Sequence, residues 1–143
     1  MEGGDLMQVI EKQCAGKGKL NERQVARWVL QILEGLCYLH TKNVMHRDIK
    51  LENVMIDFSN KIDREGVCKI TDFGFAKTKQ RVNKEKEPIG TPVYMAPEMV
   101  CLKHHDNRVD VWALGIMTCE LLFGHAPFEG RNAQELFDEI LEK

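Results

Sequence analysis

Eight consecutive residues, His46-Arg47-Asp48-Ile49-Lys50-Leu51-Glu52-Asn53, constrain this chain more than any other stretch. They crowd charged and amide side chains between two apolar runs, Val44-Met45 and Val54-Met55-Ile56, and Asp72-Phe73-Gly74 follows downstream. The run reads as a short loop, from which Asn53 can turn back toward Asp48.

At 143 residues the chain is one domain by size, long enough to bury a core. A formal net charge of -2 gives no electrostatic case for nucleic acid or an anionic membrane. The longest apolar run, Val109 to Phe123, is too short to span a bilayer and carries Asp110 and Glu120. It reads as a buried core helix. Met1 is followed by Glu2-Gly3-Gly4-Asp5, which does not resemble a secretory signal. Cys14, Cys37, Cys68, Cys101 and Cys119 are scattered and form no Cys-x-x-Cys pair, so reduced thiols in the cytoplasm or nucleus are expected. His104-His105 reads as a polar loop rather than a metal site.

Along the chain, Asn21 can cap a helix starting at Glu22, with Gln24 at the third position of a capping-box-like start. Val25, Val29, Ile32, Leu36 and Leu39 then form one apolar stripe down to about His40. Val54-Met55-Ile56 and Val67-Cys68-Lys69-Ile70 read as short strands of a hairpin around the polar turn Asp57 to Gly66. Lys77 to Glu87 is charged and aperiodic and reads as a mobile surface loop; Pro92 and Pro97 keep the next stretch irregular. A second helix covers Arg108 to Phe123 and stops at Gly124, with Pro127 just beyond. A third is capped by Asn132, with Glu135 reaching back and Ala133, Leu136, Phe137, Ile140 and Leu141 on its apolar face.

The polar residues fit phosphoryl transfer, which needs in-line positioning, metal ions on the phosphate oxygens and a group for the hydroxyl proton. Asp48 is the candidate base or orienter of the hydroxyl. Asn53 and Asp72 offer the oxygen ligands that magnesium prefers. Lys50, two residues after Asp48, can place its ammonium on the transferring phosphate.

With these residues in view, the chain resembles the C-terminal lobe of a eukaryotic protein kinase of the serine/threonine type. His46-Arg47-Asp48 to Asn53 matches that family's catalytic loop, Asp72-Phe73-Gly74 its magnesium motif, and Ala96-Pro97-Glu98 the close of its activation segment. Asp110-Val111-Trp112-Ala113-Leu114-Gly115 resembles the start of the buried central helix, and Gly124-His125-Ala126-Pro127-Phe128 the turn after it. About nine fixed positions in order recur by chance at on the order of 10⁻¹² per register. The resemblance implies a mainly α fold with a small β-hairpin at the catalytic loop, residues 1–143 as a partial kinase domain, and an activation segment over 72–98. It implies ATP and Mg2+ as cofactors, protein substrates phosphorylated on Ser or Thr, and room for a regulatory protein partner.

Residue by residue, the resemblance makes His46 structural, with Asp110 holding its backbone. Lys50 and Gly90-Thr91 fit the serine/threonine branch, with Thr91 hydrogen-bonding near Asp48 and Lys50. Leu51 departs from the pattern, since a proline is usual there. Arg47 is the residue that commonly pairs with an activation-loop phosphate, yet no Ser, Thr or Tyr occurs from Lys79 through Gly90. Glu87, or nearby Glu85, is the candidate built-in acidic partner; the alternative is two solvated glutamates. Asp5, Glu52 and Glu120 lie where basic-directed kinases bind substrate arginines, and Asp5 also lies near the ATP ribose. Leu6 and Met55 match positions around the adenine, with Met117 and Leu121 supporting them. Phe73 and Gly74 complete the magnesium motif, and Glu98 would pair with an arginine further along.

The Gly-rich loop, strand lysine and helix glutamate of a working kinase normally precede Glu2. Two readings therefore stand: part of an ATP- and magnesium-dependent serine/threonine kinase, or a catalytically silent module that binds protein through its substrate-facing groove.

Overall fold

The computed structural model describes residues 3–14, 20–59, 65–78 and 88–142. Five helices, α1 (Leu6–Cys14), α2 (Glu22–Thr41), α3 (Pro97–Val100), α4 (Arg108–Phe123) and α5 (Ala133–Glu142), dominate these residues. Four short strands, β1 (Val44–Met45), β2 (Val54–Asp57), β3 (Val67–Ile70) and β4 (Lys77–Thr78), form two antiparallel pairs, β2 with β3 and β1 with β4. The fold is mainly α with small sheets, as expected. No helix among the described residues is long and apolar enough to cross a membrane.

Asn21 starts α2 by accepting the Arg23 amide on its side-chain oxygen at 2.9 Å. The buried stripe is Val25, Trp28, Ile32 and Leu36, while Val29 and Leu39 lie half-buried at its margin. Trp28 was absent from the expected stripe. It can be fully buried because its indole N–H reaches the Glu65 carbonyl at 3.0 Å. Gln31 accepts the Cys68 amide at 2.7 Å, so α2 is tied to the hairpin by polar as well as apolar contact.

The hairpin pairs Val54 with Ile70 and Asp57 with Val67, and its return carries Gly66 at φ 81°. A Cβ at Gly66 would come within 2.4 Å of the Ile56 side chain, so backbone freedom and space both require glycine there.

Two expectations about irregular chain are corrected. Lys77–Thr78 is not loop but strand β4, paired with Met45 and Val44; residues 79–87, with Glu85 and Glu87, lie outside the described residues. Pro92 and Pro97 do not keep their stretch irregular but begin a 3-10 turn, Pro92–Tyr94, and helix α3. Proline suits a first helical position because its missing N–H has no intrahelical acceptor there. Helix α1 was not foreseen; Asp5 starts it by accepting the Gln8 amide at 2.8 Å.

α4 has the expected bounds, ending at Gly124 with φ 81°, whose amide bonds the Glu120 carbonyl at 2.9 Å. It is apolar around much of its circumference, burying Val109, Ala113, Leu114, Ile116, Met117 and Leu121. α5 is capped by Asn132, whose oxygen accepts the Glu135 amide at 3.0 Å, while the Glu135 carboxylate reaches back to the Arg131 amide at 3.1 Å. Its inner face is Ile140 with half-buried Leu136 and Phe137; Ala133 and Leu141 are exposed. The main core joins α1, α2, the hairpin and α4 through side chains such as Leu6, Ile32, Ile56 and Met117. A smaller cluster, Met95, Ala96, Met99 and Val109, lies near Phe137 of α5.

Replacing Trp28 by Ala in the intact protein is expected to cost about 3–5 kcal/mol, and by Phe about 1–3 kcal/mol, because phenylalanine fills most of the space but leaves the Glu65 carbonyl unpaired. Thermal unfolding midpoints should fall in that order. Equal midpoints for Trp28→Ala and wild type would contradict the placement of this side chain.

Candidate active site

The loop after α2 takes its shape from one carboxylate. Asp110, in the first turn of α4, is fully buried and accepts the His46 amide on one oxygen at 2.9 Å and the Arg47 amide on the other at 2.7 Å. His40, near the end of α2, reaches the first of these oxygens through Nε2 at 2.8 Å. These contacts hold Arg47 at φ 67°, a left-handed conformation that costs a non-glycine residue roughly 1–2 kcal/mol.

His46 has both ring nitrogens committed. The Thr71 carbonyl, 2.9 Å from Nε2, can only accept, so Nε2 carries the proton. Nδ1 is then left to accept the Asp48 amide at 3.3 Å. The ring also meets Phe73 edge-on, with centroids 5.1 Å apart. His46 thus ties the loop to the chain just before Asp72 and has no nitrogen left for a substrate proton.

Asp48 is 4% exposed, and its carboxylate accepts three hydrogen bonds and makes one ion pair. Thr91 gives its amide (3.0 Å) and its hydroxyl (2.8 Å) to Oδ1. The Asn53 amide nitrogen (3.1 Å) and the Lys50 ammonium (3.2 Å) lie on Oδ2. Lys50 also donates to the Thr91 hydroxyl oxygen at 2.8 Å, closing a ring of three side chains. Thr91 can come this close because Gly90, at φ 108°, packs on the loop: a Cβ there would lie 2.7 Å from the Arg47 carbonyl oxygen.

Asn53 donates again, to the Asp48 carbonyl at 2.8 Å, so its Oδ1 remains as acceptor. Its own carbonyl accepts both the amide (2.9 Å) and the hydroxyl (3.1 Å) of Thr71, which brings the chain carrying Asp72 alongside. Asp72 is exposed, sits at φ 59°, and uses Oδ1 on the Gly74 amide at 3.1 Å, leaving Oδ2 open. One amide oxygen and one carboxylate oxygen suit magnesium, which keeps few protein ligands and completes its shell from phosphates and water. Among the described residues no three His, Cys, Asp or Glu side chains converge as a closed metal cage.

The remaining expected residues are placed as follows. Arg47 is buried and gives Nε (2.8 Å) and a terminal nitrogen (2.6 Å) to the Phe75 carbonyl. The Tyr94 hydroxyl donates to Glu120. Burial, and beyond it the charge of Glu52, pushes the Glu120 carboxyl above its ordinary range, against the lowering effect of the Tyr94 bond; burial raises Tyr94 as well. Glu52 itself is exposed. Asp5 is committed to capping α1 and bridges Met55. Met55 is half-buried, whereas Leu6, Met117 and Leu121 are buried in the main core. Glu98 lines a polar cleft of about 330 Å³ with His104, His105, Asp106 and Arg108, away from Asp48.

Sequence reasoning missed His40 and Tyr94. His40 had only its place at the end of an apolar stripe, and Tyr94 only its place in the Pro92–Tyr94 turn. Neither carries a local signal, because each meets its carboxylate across a long stretch of chain.

The protein kinase domain family model matches residues 1–143, the whole chain. The chain is 46% identical over 129 residues to the serine/threonine-protein kinase CLA4 of Candida albicans, covering 90% of this chain and 12% of that protein. It is 40% identical to the serine/threonine-protein kinase ULK3 of Xenopus laevis, covering 97% of this chain and 28% of that protein. To the Aurora kinase of Eremothecium gossypii it is 37% identical, covering 94% and 35%. The chain therefore spans between 12% and 35% of the length of these relatives. With the loop, the Asp72 motif and the Thr91 clasp all in one place, this chain belongs to the protein kinase family.

Proposed function

We propose that this chain is the catalytic and substrate-facing part of a serine/threonine protein kinase that uses ATP and Mg2+. The observation that carries the reading is the Asp48 carboxylate, held by Thr91, Lys50 and Asn53 beside the metal-suited oxygens of Asn53 and Asp72. Magnesium-bound ATP supplies an electrophilic phosphorus whose oxygens are already partly neutralised.

Asp48 orients the substrate hydroxyl and accepts its proton. Three hydrogen bonds and the Lys50 ion pair crowd it, so one of these contacts yields to the incoming hydroxyl. The Lys50 ammonium makes the longest of these contacts, 3.2 Å, and ends a flexible four-carbon stem. Lys50 is thus the donor that shifts toward phosphate, opening a lone pair of Asp48 to the hydroxyl. Asn53 Oδ1 and Asp72 Oδ2 would hold the metal ion. Met55 gives the surface for adenine, with Leu6 supporting it from the core, and Asp5 keeps an oxygen for the ribose or a substrate cation.

Residues 72–98 are the activation segment of a partial kinase domain over 1–143, with Phe73, Gly74 and Glu98 as its structural points and Glu87 or Glu85 as an acidic partner for Arg47. Glu52 and Glu120 favour protein substrates with Arg or Lys two or three residues before the acceptor. A protein regulator and a cytoplasmic or nuclear setting complete the proposal.

In the intact protein, transfer of the ATP γ-phosphate to a serine peptide should fall about 10²–10⁴-fold in kcat for Asp48→Ala. Asp72→Asn should abolish it by removing a charged metal ligand. Peptide binding without any transfer in the wild type would sink the transferase reading in favour of a binding module.

Selectivity should also depend on pH. Because Glu120 titrates above its ordinary range, lowering pH through that raised value neutralises it and weakens its hold on a guanidinium. The ratio of kcat/KM for an Arg-containing peptide over its Ala counterpart should therefore drop on acidification, and Glu120→Gln should flatten the profile. For stability the sign is opposite. The folded state favours neutral Glu120, so this contribution is full below the ordinary carboxyl pKa and is lost as pH rises through the raised one. An Arg preference unchanged in Glu120→Gln would remove this residue from recognition.

A further inference from the structure

Selecting a substrate by its charge requires a carboxylate that keeps one direction as well as its negative charge. Glu120 is half-buried on α4, and among the described residues its side chain accepts one hydrogen bond, on Oε2, from the Tyr94 hydroxyl. Oε1 is left for a cation. Tyr94 is 6% exposed and belongs to the main core, so packing of its ring fixes where the hydroxyl points.

Tyr94 is also tied to the candidate base. It ends the 3-10 turn Pro92–Tyr94, and its amide bonds the Thr91 carbonyl at 3.0 Å. Thr91, just before that turn, gives its own amide and hydroxyl to Asp48 at 3.0 and 2.8 Å. The backbone of Leu51, in the catalytic loop, acts on the Tyr94 hydroxyl as well. One closed turn therefore rests on Asp48 at its start and on Glu120 at its end. A substrate whose acceptor hydroxyl meets Asp48 then finds the second carboxylate at a set distance along its chain.

We infer that Tyr94 is a positioning residue for substrate selection, its hydroxyl aiming the Glu120 carboxylate at a basic side chain a fixed distance before the phosphoacceptor. The inference rests on the kinase reading and on Glu120 as the site for that basic residue, and names what sets the site's direction and charge. Among the described residues two titratable groups act on Glu120, and they oppose each other. Glu52, from the catalytic loop, resists its charge, as burial does, while the Tyr94 hydroxyl favours it. Without that hydroxyl the carboxylate would keep its proton to a higher pH.

The test uses the intact protein and two serine peptides, one with Arg and one with Ala before the acceptor, with kcat/KM measured across a range of pH. Tyr94→Phe keeps the ring and removes the hydroxyl. It should lower the Arg-over-Ala ratio of kcat/KM by roughly tenfold, the loss lying in KM for the Arg peptide. The pH at which the ratio falls should move upward. Tyr94→3-fluorotyrosine, nearly isosteric and a stronger donor, should move it downward. In a Glu120→Gln background neither replacement should change the ratio, because the group they act through is gone. A loss in Tyr94→Phe that is equal for both peptides, or a change of ratio that persists with Glu120→Gln, makes Tyr94 merely structural and overturns the inference. So does a pH profile that neither replacement moves. If Tyr94→Phe does not fold, the direction of the shift in the 3-fluorotyrosine protein decides. A wild type that transfers phosphate without preferring the Arg peptide overturns the role of Glu120, and the inference with it. No transfer to either peptide overturns the transferase reading itself.

Discussion

A carboxylate with no solvent contact must be satisfied by protein donors, and Asp110 is satisfied by three: the amides of His46 and Arg47 and the imidazole of His40. Leaving such a charge unpaired costs about 3–5 kcal/mol. The donors come from the end of α2 and from the catalytic loop, the acceptor from the start of α4. Helix packing and loop geometry are consequently one problem with one solution. The two helices cannot slide relative to each other without stripping the carboxylate, and the loop cannot relax without doing the same. That is why Arg47 can be held in a left-handed conformation immediately before the residue whose direction matters most.

Another residue held at positive φ, Asp72, obeys the same logic. Asp72, at φ 59°, follows Thr71, whose amide and hydroxyl both bind the Asn53 carbonyl and whose own carbonyl accepts from His46. Strain at such points persists only where neighbours over-determine it. Here the hairpin register, the Thr71 contacts and the His46 bridge all fix the same short segment. The two small sheets matter for this reason: β2 and β3 align Asn53 with Thr71, and β1 with β4 returns the chain after Gly74 to the loop.

Much of this was legible in the sequence, and the part that was not has a common cause. The bounds of α4, the hairpin and the caps of α2 and α5 are local events, signalled by glycine, asparagine and apolar spacing. The catalytic loop and the Asp72 motif are local strings. Trp28, by contrast, is buried because a carbonyl 37 residues away accepts its N–H, and His40 matters because of a carboxylate 70 residues away. No window carries either fact. The prolines misled for a different reason: Pro92 and Pro97 forbid helix interiors but favour helix starts. Helix α1 was in reach, since Asp5 before Leu6, Val9 and Ile10 is a cap followed by an apolar stripe.

Four carboxylates show how one functional group is given different work by its donors. Asp110 is buried with three donors and no access; it can only anchor. Asp72 is exposed, its side chain accepting a hydrogen bond from the Gly74 amide, with lone pairs to spare for a cation. Glu120 shares a half-buried position with Tyr94 and the field of Glu52, so its charge is costly there. Asp48 is the instructive case, because three hydrogen bonds crowd it and its ion-pair partner is a lysine on a flexible stem. A residue whose donors were all as fixed as those of Asp110 would be as inert. In the proposed reading, placing Lys50 in the set makes Asp48 available when something more negative draws the ammonium away. In the proposed reaction that something is the phosphate, so the base becomes receptive when the group to be transferred is present.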